Sequence, residues 1–289
     1  RLLGRGAVDM KGFVACILAS LPAFTERRLA RPIHIALSYD EEVGCVGVRH
    51  LLPHLPRLCA PPLGCVVGEP TGLRPVLRHK GKLALRATIH GKAGHSSRPE
   101  LAYNAIHVAA DLIRVVHDRA DALTQEGPFD ARFEPPCSTM QVGTIRGGIA
   151  VNIVPDLCAF DVEARAIPGT PPAQVLAPLM AAIEQQRQAD LRAGRRIRIE
   201  TETLSEYPAL DLPDDHALAS FVEDLTGNGR MEAVSSGTEA GLYQAAGVPS
   251  IVCGPGDIGR AHQPDEYILG EELTQAMRAM ERLAERLRA

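Results

Sequence analysis

Tryptophan is absent from this 289-residue sequence, and aromatic residues as a whole make up only 4% of it. Platforms that stack on bases or sugar rings need several aromatic faces, so this scarcity argues against nucleic-acid and carbohydrate recognition. Positive charge is not in excess either: 31 Lys and Arg stand against 35 Asp and Glu, a formal net charge of −4. An anionic polymer or anionic membrane surface therefore has no electrostatic handle. No uncharged apolar run is long enough for a membrane-spanning helix, and no signal-peptide core stands near the start. Cysteines at 16, 45, 59, 65, 137, 158 and 253 are odd in number, scattered, and without a C-x-x-C pair. That distribution suits small buried residues in a reducing cytoplasm better than a disulfide framework. Internal repeats, low-complexity tracts, a G-x-S-x-G elbow and a phosphate-cradling P-loop are missing as well.

What remains is the composition of a globular protein, 45% hydrophobic and 23% charged, long enough for one large domain or two ordinary ones. Residues 11–24, KGFVACILASLPAF, put Phe13, Val14, Ile17, Leu18 and Leu21 at helical spacing, which predicts a helix packed on a sheet. Ile33 to Ser38, Gly64 to Val67 and VPSIVCGPG near residue 250 read as short buried strands, and strands separated by helical stretches indicate a mainly parallel α/β sheet.

The middle follows a different pattern. KLALRATIHG alternates Leu83, Leu85, Ala87 and Ile89 with polar partners, and a helical stripe follows over about 102–119. STMQVGTIRGG and LCAFDVEARAIPG are strand-like, a helix is expected over about 172–190, and RIRIETETL alternates Ile197 and Ile199. The succession β-α-β-β-α-β is the ferredoxin-like split motif. The expected organisation is an α/β domain over residues 1–82 and 205–289, interrupted by a ferredoxin-like α+β insert at 83–204.

Acidic or imidazole-bearing motifs fall beside strand and helix ends of the outer α/β parts. They are GRGAVDMKG with Asp9, SYDEE with Glu41 and Glu42, GEPTG with Glu69, and AHQPDEY with His262. Three adjacent carboxylates cost Coulomb energy unless a cation, a proton or open water relieves them. In open α/β sheets chemistry collects beyond the carboxyl ends of the strands, and carboxylates converging there with an imidazole suit zinc, cobalt or manganese. Taken singly each motif has a plainer reading: Asp9 ahead of a helix serves equally as an N-cap, and a lone acidic triplet as a solvated loop. GPGDIG at 254–259 matches G-x-G-x-x-G, yet RAHQPDEY after it shows no amphipathic helix, so the helix N-terminus a dinucleotide requires is lacking.

In order and spacing, GRGAVDMKG, SYDEEVG, GEPTG with HKG, GHSSRP, GTEAG and AHQPDEY resemble the acetylornithine deacetylase branch of the zinc amidohydrolase/carboxypeptidase superfamily, which also includes succinyl-diaminopimelate desuccinylase. The resemblance runs over essentially the whole chain. It implies a zinc-peptidase-like catalytic domain interrupted by a dimerisation (lid) domain, a homodimer formed through that insert, and a cytoplasmic enzyme of arginine biosynthesis acting on an N-acetyl amino acid, with no nucleic-acid or membrane partner. It implies two zinc ions per active site, cobalt being an alternative. Asp9 would bridge them, Glu42 and His262 would hold one, and Glu69 would help hold the other. Glu41 would be the general base, passing a proton from the attacking water to the leaving amine; Asp40 would be structural. His95, otherwise a turn residue beside Ser96 and Ser97, would reach across the dimer and polarise the scissile carbonyl. Arg165 and Asn152, otherwise surface pairing residues, would help hold the substrate carboxylate or the transition state, and Thr238 would line the pocket.

The sequence departs from the family pattern at its start. The family's first metal ligand is a His followed two residues later by an Asp, in a motif far upstream of GRG-x-x-DMKG; here eight residues precede Asp9 and none is His. A missing N-terminal segment is the expectation, given the mid-motif start and the absent initiator Met. The alternatives are a short form keeping only the ion of Asp9, Glu42 and His262, a desuccinylase, and a non-catalytic binding homologue.

Overall fold

In the computed structural model, which describes residues 1–26, 28–195 and 198–289, the helical pattern at the start is realised in two pieces. Helix α1 spans Gly12–Ala19 and helix α2 spans Leu21–Thr25, with Ser20 between them. The sequence predicts one helix over 11–24; the break follows from Pro22, whose ring has no N–H to donate and crowds the carbonyl four residues back. Nor is Asp9 an N-cap: residue Lys11 occupies that position without a side-chain cap, and Asp9 sits in the preceding turn with φ −122° and ψ 90°.

Tertiary contacts divide the chain into two compact units, Arg1–His79 with Leu210–Ala289, and Lys80–Ala209. In the first, strand β1 (Cys65–Pro70) follows a largely irregular stretch. The expected strand at Ile33–Ser38 does not form: the segment has no ladder, and Ile35 and Leu37 are 37% and 62% exposed. An apolar run makes a buried strand only where neighbours cover both faces and supply hydrogen bonds, and here it has neither.

The second unit opens with β2 (Gly81–His90), then α3 (Ala105–Glu126), β3 (Thr139–Gly147), β4 (Leu157–Ala166), α4 (Pro172–Arg192) and β5 (Arg198–Tyr207). Ile197 lies outside the described residues. Asn104 caps α3, its side-chain oxygen accepting from the amides of Ile106 and His107, which moves the start three residues past the periodicity estimate. The strands form one four-stranded antiparallel sheet in the order β3-β4-β2-β5. Alternation in β2 and β4 turns Leu83, Leu85, Ala87, Ile89, Phe160 and Val162 to one face, where Val108 and Leu112 of α3 and Leu176 and Leu179 of α4 complete a core. The other face carries charge, with Arg86 on Asp161 at 2.7 Å and Lys82 on Glu163 at 3.1 Å.

The chain returns to the first unit through α5 (Ala217–Thr226), α6 (Ala240–Ala245), β6 (Ser250–Gly254) and α7 (Gly270–Arg286). Strand β6 pairs parallel with β1, Cys65 opposite Ser250 and Val67 opposite Val252. This is the one parallel ladder among the described residues, so the expected mainly parallel sheet is corrected to a mixed α/β architecture of small, partly antiparallel sheets. Two short features position the site. Leu2–Leu3 pairs antiparallel with Tyr267–Ile268. And Gly68 lets the Phe13 ring of α1 lie directly on β1, since a Cβ there would sit 1.9 Å from Phe13 Cδ1, a clash only glycine avoids. Beyond β6 the G-x-G-x-x-G segment runs into a short turn at Ile258–Arg260 rather than a long helix. Among the described residues no helix is long and apolar enough to cross a membrane.

Candidate metal centre

Three of the predicted ligands converge in the first unit. Asp9 arrives on the turn ahead of α1, Glu42 on the loop after Ser38, and His262 on the loop after β6. Each offers one donor atom, and the three atoms lie within 4.8 Å of one another. His262 Nε2 stands 3.2 Å from Asp9 Oδ2 and 3.1 Å from Glu42 Oε1. A tetrahedral zinc with bonds of 2.0–2.2 Å sets its donors about 3.3 Å apart, so two oxygens and an imidazole nitrogen at these separations fit one such ion, with a coordination position left open. Backbone geometry supports a functional reading. His262 and Asp40 both hold left-handed conformations, φ 59° and 53°, which cost a non-glycine residue roughly 1–3 kcal/mol and cluster at functional sites.

Around this trio the electrostatics are those of a site short of positive charge. Burial pushes the Asp9 carboxyl up, and the nearby Glu42 charge adds to it. Glu69, at the end of β1 and in hydrogen-bond contact with Asp9, is raised well above the ordinary range by burial and by the charges of Asp9 and Glu41. His262 is raised chiefly by its hydrogen bond to Glu42. Buried carboxyls that hold protons where water would ionise them mark a place where a cation replaces those protons. Glu41 behaves differently from its neighbour. It is not one of the three gathered donors, and its Oε1 accepts a hydrogen bond of 3.5 Å from the buried Cys45 thiol. Burial, with smaller contributions from Glu42, Glu239 and Asp9 and against the Cys45 hydrogen bond, lifts its pKa to about 7. A carboxyl titrating there exchanges protons readily near neutrality.

Thr238 is 5% exposed, and its hydroxyl accepts from the amide of Ala240 at the start of α6. The remaining predicted residues belong to the second unit. His95 is exposed, its Nδ1 bonded to the Ser97 hydroxyl at 2.8 Å, and Gly94–His95 pairs with Ile153–Val154. The Ser96 amide donates to the Asn152 carbonyl at 3.0 Å, which brings His95 and Asn152 onto adjoining turns. Arg165 lies on β4 with Nε 2.8 Å from Glu163, and Tyr207 supports it.

Sequence reasoning missed Glu239 and Glu266. Glu239 is buried; its Oε2 accepts from Ser38 at 2.8 Å while Oε1 has no partner among the described residues. Glu266 is 2% exposed and gathers backbone amides of the Asp9 turn. Burial raises its pKa, but those amides and the Arg5 charge outweigh this and hold it below the usual carboxylate range. Both were present in the motifs GTEAG and AHQPDEY; the signal was a carboxylate inside a motif already read for another residue.

A pH dependence follows from these shifts. The folded chain keeps the Glu41 proton up to about pH 7, whereas an unfolded glutamate releases it near 4.5. The native state thus binds more protons between those values, and metal-free stability falls as pH rises through them, by roughly 3 kcal/mol for Glu41 alone. Asp9, Glu69 and His262 are raised too and act in the same direction; Glu266, lowered, acts only in more acidic solution. In chelator the melting temperature is expected to drop from pH 5 to pH 8, and added Zn2+ to cancel the drop. A flat profile in chelator would contradict the assigned shifts.

Comparison with known proteins places these observations. The profile of peptidase family M20/M25/M40 matches residues 1–286. An acetylornithine deacetylase of Myxococcus xanthus is 36% identical over 279 residues, covering 95% of this chain and 70% of that protein. A second, from Photorhabdus laumondii, is 35% identical over 268 residues, covering 93% and 67%. Among solved structures, an M20 family metallo-carboxypeptidase of Sulfolobus solfataricus superposes with a TM-score of 0.74 at 18% identity, over 98% of this chain and 77% of that one. The aminopeptidase PepT of Bacillus cereus gives 0.70 at 21%, over 96% and 71%.

Proposed function

The chain belongs to peptidase family M20/M25/M40, and from that premise we propose that it removes the acetyl group from N2-acetylornithine, releasing ornithine and acetate. At the coarser level it is an amide-cleaving metallo-hydrolase that uses a divalent metal. The observation that carries the hydrolytic chemistry is the division of labour between adjacent carboxylates: Glu42 sets an oxygen beside His262 and Asp9, while Glu41 stands outside that trio and is raised to about 7; the acetylornithine substrate itself rests on the likeness to the two deacetylases.

Asp9, Glu42 and His262 would hold one ion, preferably zinc, with Glu69 contributing to a second beside Asp9. The metal, when bound, supplies Lewis acidity toward the amide carbonyl and lowers the pKa of water. Glu41 takes the proton of the attacking water and delivers it to the departing amine, a task that a pKa of about 7 suits in both directions. Ser38, Cys45 and Glu239 surround these carboxylates and hold the Glu41 loop in place. By motif resemblance alone the proposal assigns His95 to polarise the scissile carbonyl, Arg165 and Asn152 to the substrate carboxylate, and Thr238 to the pocket wall. Arg165 already bonds Glu163, so a substrate carboxylate would join or displace that pair. A homodimer formed through the Lys80–Ala209 unit and a cytoplasmic place in arginine synthesis belong to the same proposal.

Substrate competition tests it. An acetyl arm needs only an apolar niche, whereas a succinyl arm brings a carboxylate that must be paired or stay solvated. With Zn2+ or Co2+ supplied, kcat/KM is expected to be at least about 100-fold higher for N2-acetylornithine than for succinyl-diaminopimelate. The reverse order would make this a desuccinylase, and no turnover of either with metal bound would overturn the deacetylase proposal for this chain.

A further inference from the structure

Asp9 and His262 come from opposite ends of the sequence, yet their donor atoms stand 3.2 Å apart. Their loops pack through Ala7, Val8, Ala261 and Ile268, and one buried carboxylate bridges them. Glu266, four positions after His262, accepts at Oε1 from the amides of Val8 at 3.0 Å and Asp9 at 3.1 Å. Its Oε2 accepts from the Gly6 amide at 2.9 Å and from Arg5 Nη1 at 3.2 Å. Its backbone carbonyl takes the Gly4 amide at 3.0 Å, and the next two residues continue into the ladder with Leu2–Leu3. Both oxygens of Glu266 therefore point at the turn carrying Asp9.

We infer that Glu266 is a positioning residue: its carboxylate fixes the Asp9 turn against the His262 loop and so sets the distance between two donors of one cation. This rests on the metal-centre reading above. Four N–H groups converge on two oxygens, and only a carboxylate offers acceptors on both arms; an amide would aim a donor at one of the two pairs. Burying a carboxylate is costly, and its cationic partner Arg5 is 65% exposed. What the carboxylate gives in return is geometry, the role that residues behind metal ligands commonly serve.

Glu266→Gln and Glu266→Asp, compared with the unaltered chain, test the inference with Co2+ alone as the probe. Circular dichroism and melting report the fold; the Co2+ absorption spectrum and a chelator-competition titration report the site. Glu266→Gln is expected to stay folded, to change the Co2+ spectrum, and to bind Co2+ about 10–100-fold more weakly. It should lower kcat while KM moves less than about 3-fold, because the substrate-binding groups are untouched. Glu266→Asp, with both acceptors retained, should recover part of the affinity. A control, Val222→Ala in the α5 core, should lower the melting temperature without altering the spectrum. Wild-type affinity and spectrum in folded Glu266→Gln overturn the inference, as does an equal loss in Val222→Ala. Should Glu266→Gln not fold, Glu266→Asp decides: unchanged Co2+ binding overturns the inference, weakened binding with a changed spectrum supports it. Failure of the unaltered chain to bind Co2+ overturns the metal-centre reading itself, and the inference with it.

Discussion

Glu41→Gln is expected to reduce the rate of N2-acetylornithine hydrolysis by roughly 100- to 10,000-fold, the span associated with loss of a general acid–base group, with metal content unchanged. Glutamine has nearly the volume and shape of glutamate, so the loop that carries it should not move. Its amide cannot take up or release a proton in the relevant range. Glu41 is not one of the three donors that gather among the described residues, and its hydrogen bond to the Cys45 thiol can be kept by the amide oxygen. The matching change one position on, Glu42→Gln, should lower rate and metal content together. Metal analysis after dialysis and initial rates on the same samples separate the two. If Glu41→Gln keeps full activity, the proton-shuttle assignment is wrong; if it loses its metal, Glu41 is a ligand.

Asp9→Asn is the second variant with a large expected effect, and its two consequences have opposite signs. The change removes the least exposed charged donor of the trio, 13% against 64% for His262, so the metal's dissociation constant should rise by more than about 100-fold, beyond what loss of a residue behind the ligands usually causes. Activity should fall with it. In chelator the same variant should melt a few degrees higher than the unaltered chain near neutral pH, because one of a group of mutually repelling, half-buried carboxyls is gone. Melting curves with and without Zn2+ give both results in one experiment. A variant less stable than the parent in chelator and equally well stabilised by Zn2+ would show that Asp9 serves the fold and not the ion.

Where a side chain's surroundings come from its own neighbours in sequence, the reading was direct. The alternation Leu83, Leu85, Ala87, Ile89 met the matching face of Phe160 and Val162, because a strand's period puts alternate residues on one side whatever it pairs with. The gathering of three donors was readable for a related reason. Asp9, Glu42 and His262 sit in Gly- and Pro-punctuated segments beside element ends, where polar groups gather. What failed depended on distant partners. Ile33–Ser38 has the composition of a buried strand, but strandedness is a property of a ladder, and none is formed there. Pro22 stands within an uninterrupted apolar stripe, and the stripe alone predicts one helix where the ring's missing N–H makes two. Glu266 was invisible as a positioning residue because its partners are amides some 260 positions away, and an amide leaves no mark in a sequence.

The layout of the donor trio bears on how the protein is made in the cell. Of the trio, Asp9 and Glu42 are translated before His262, which at 5–20 residues per second follows on the order of ten to fifty seconds later. Until then the two carboxylates lack the imidazole nitrogen, the donor of the trio that favours a transition metal over calcium or magnesium. On the proposed metal-centre reading, selection of the ion is thereby deferred until His262 has been made, when the folded arrangement of the three donors, and not whichever cation met the nascent chain, decides what is captured.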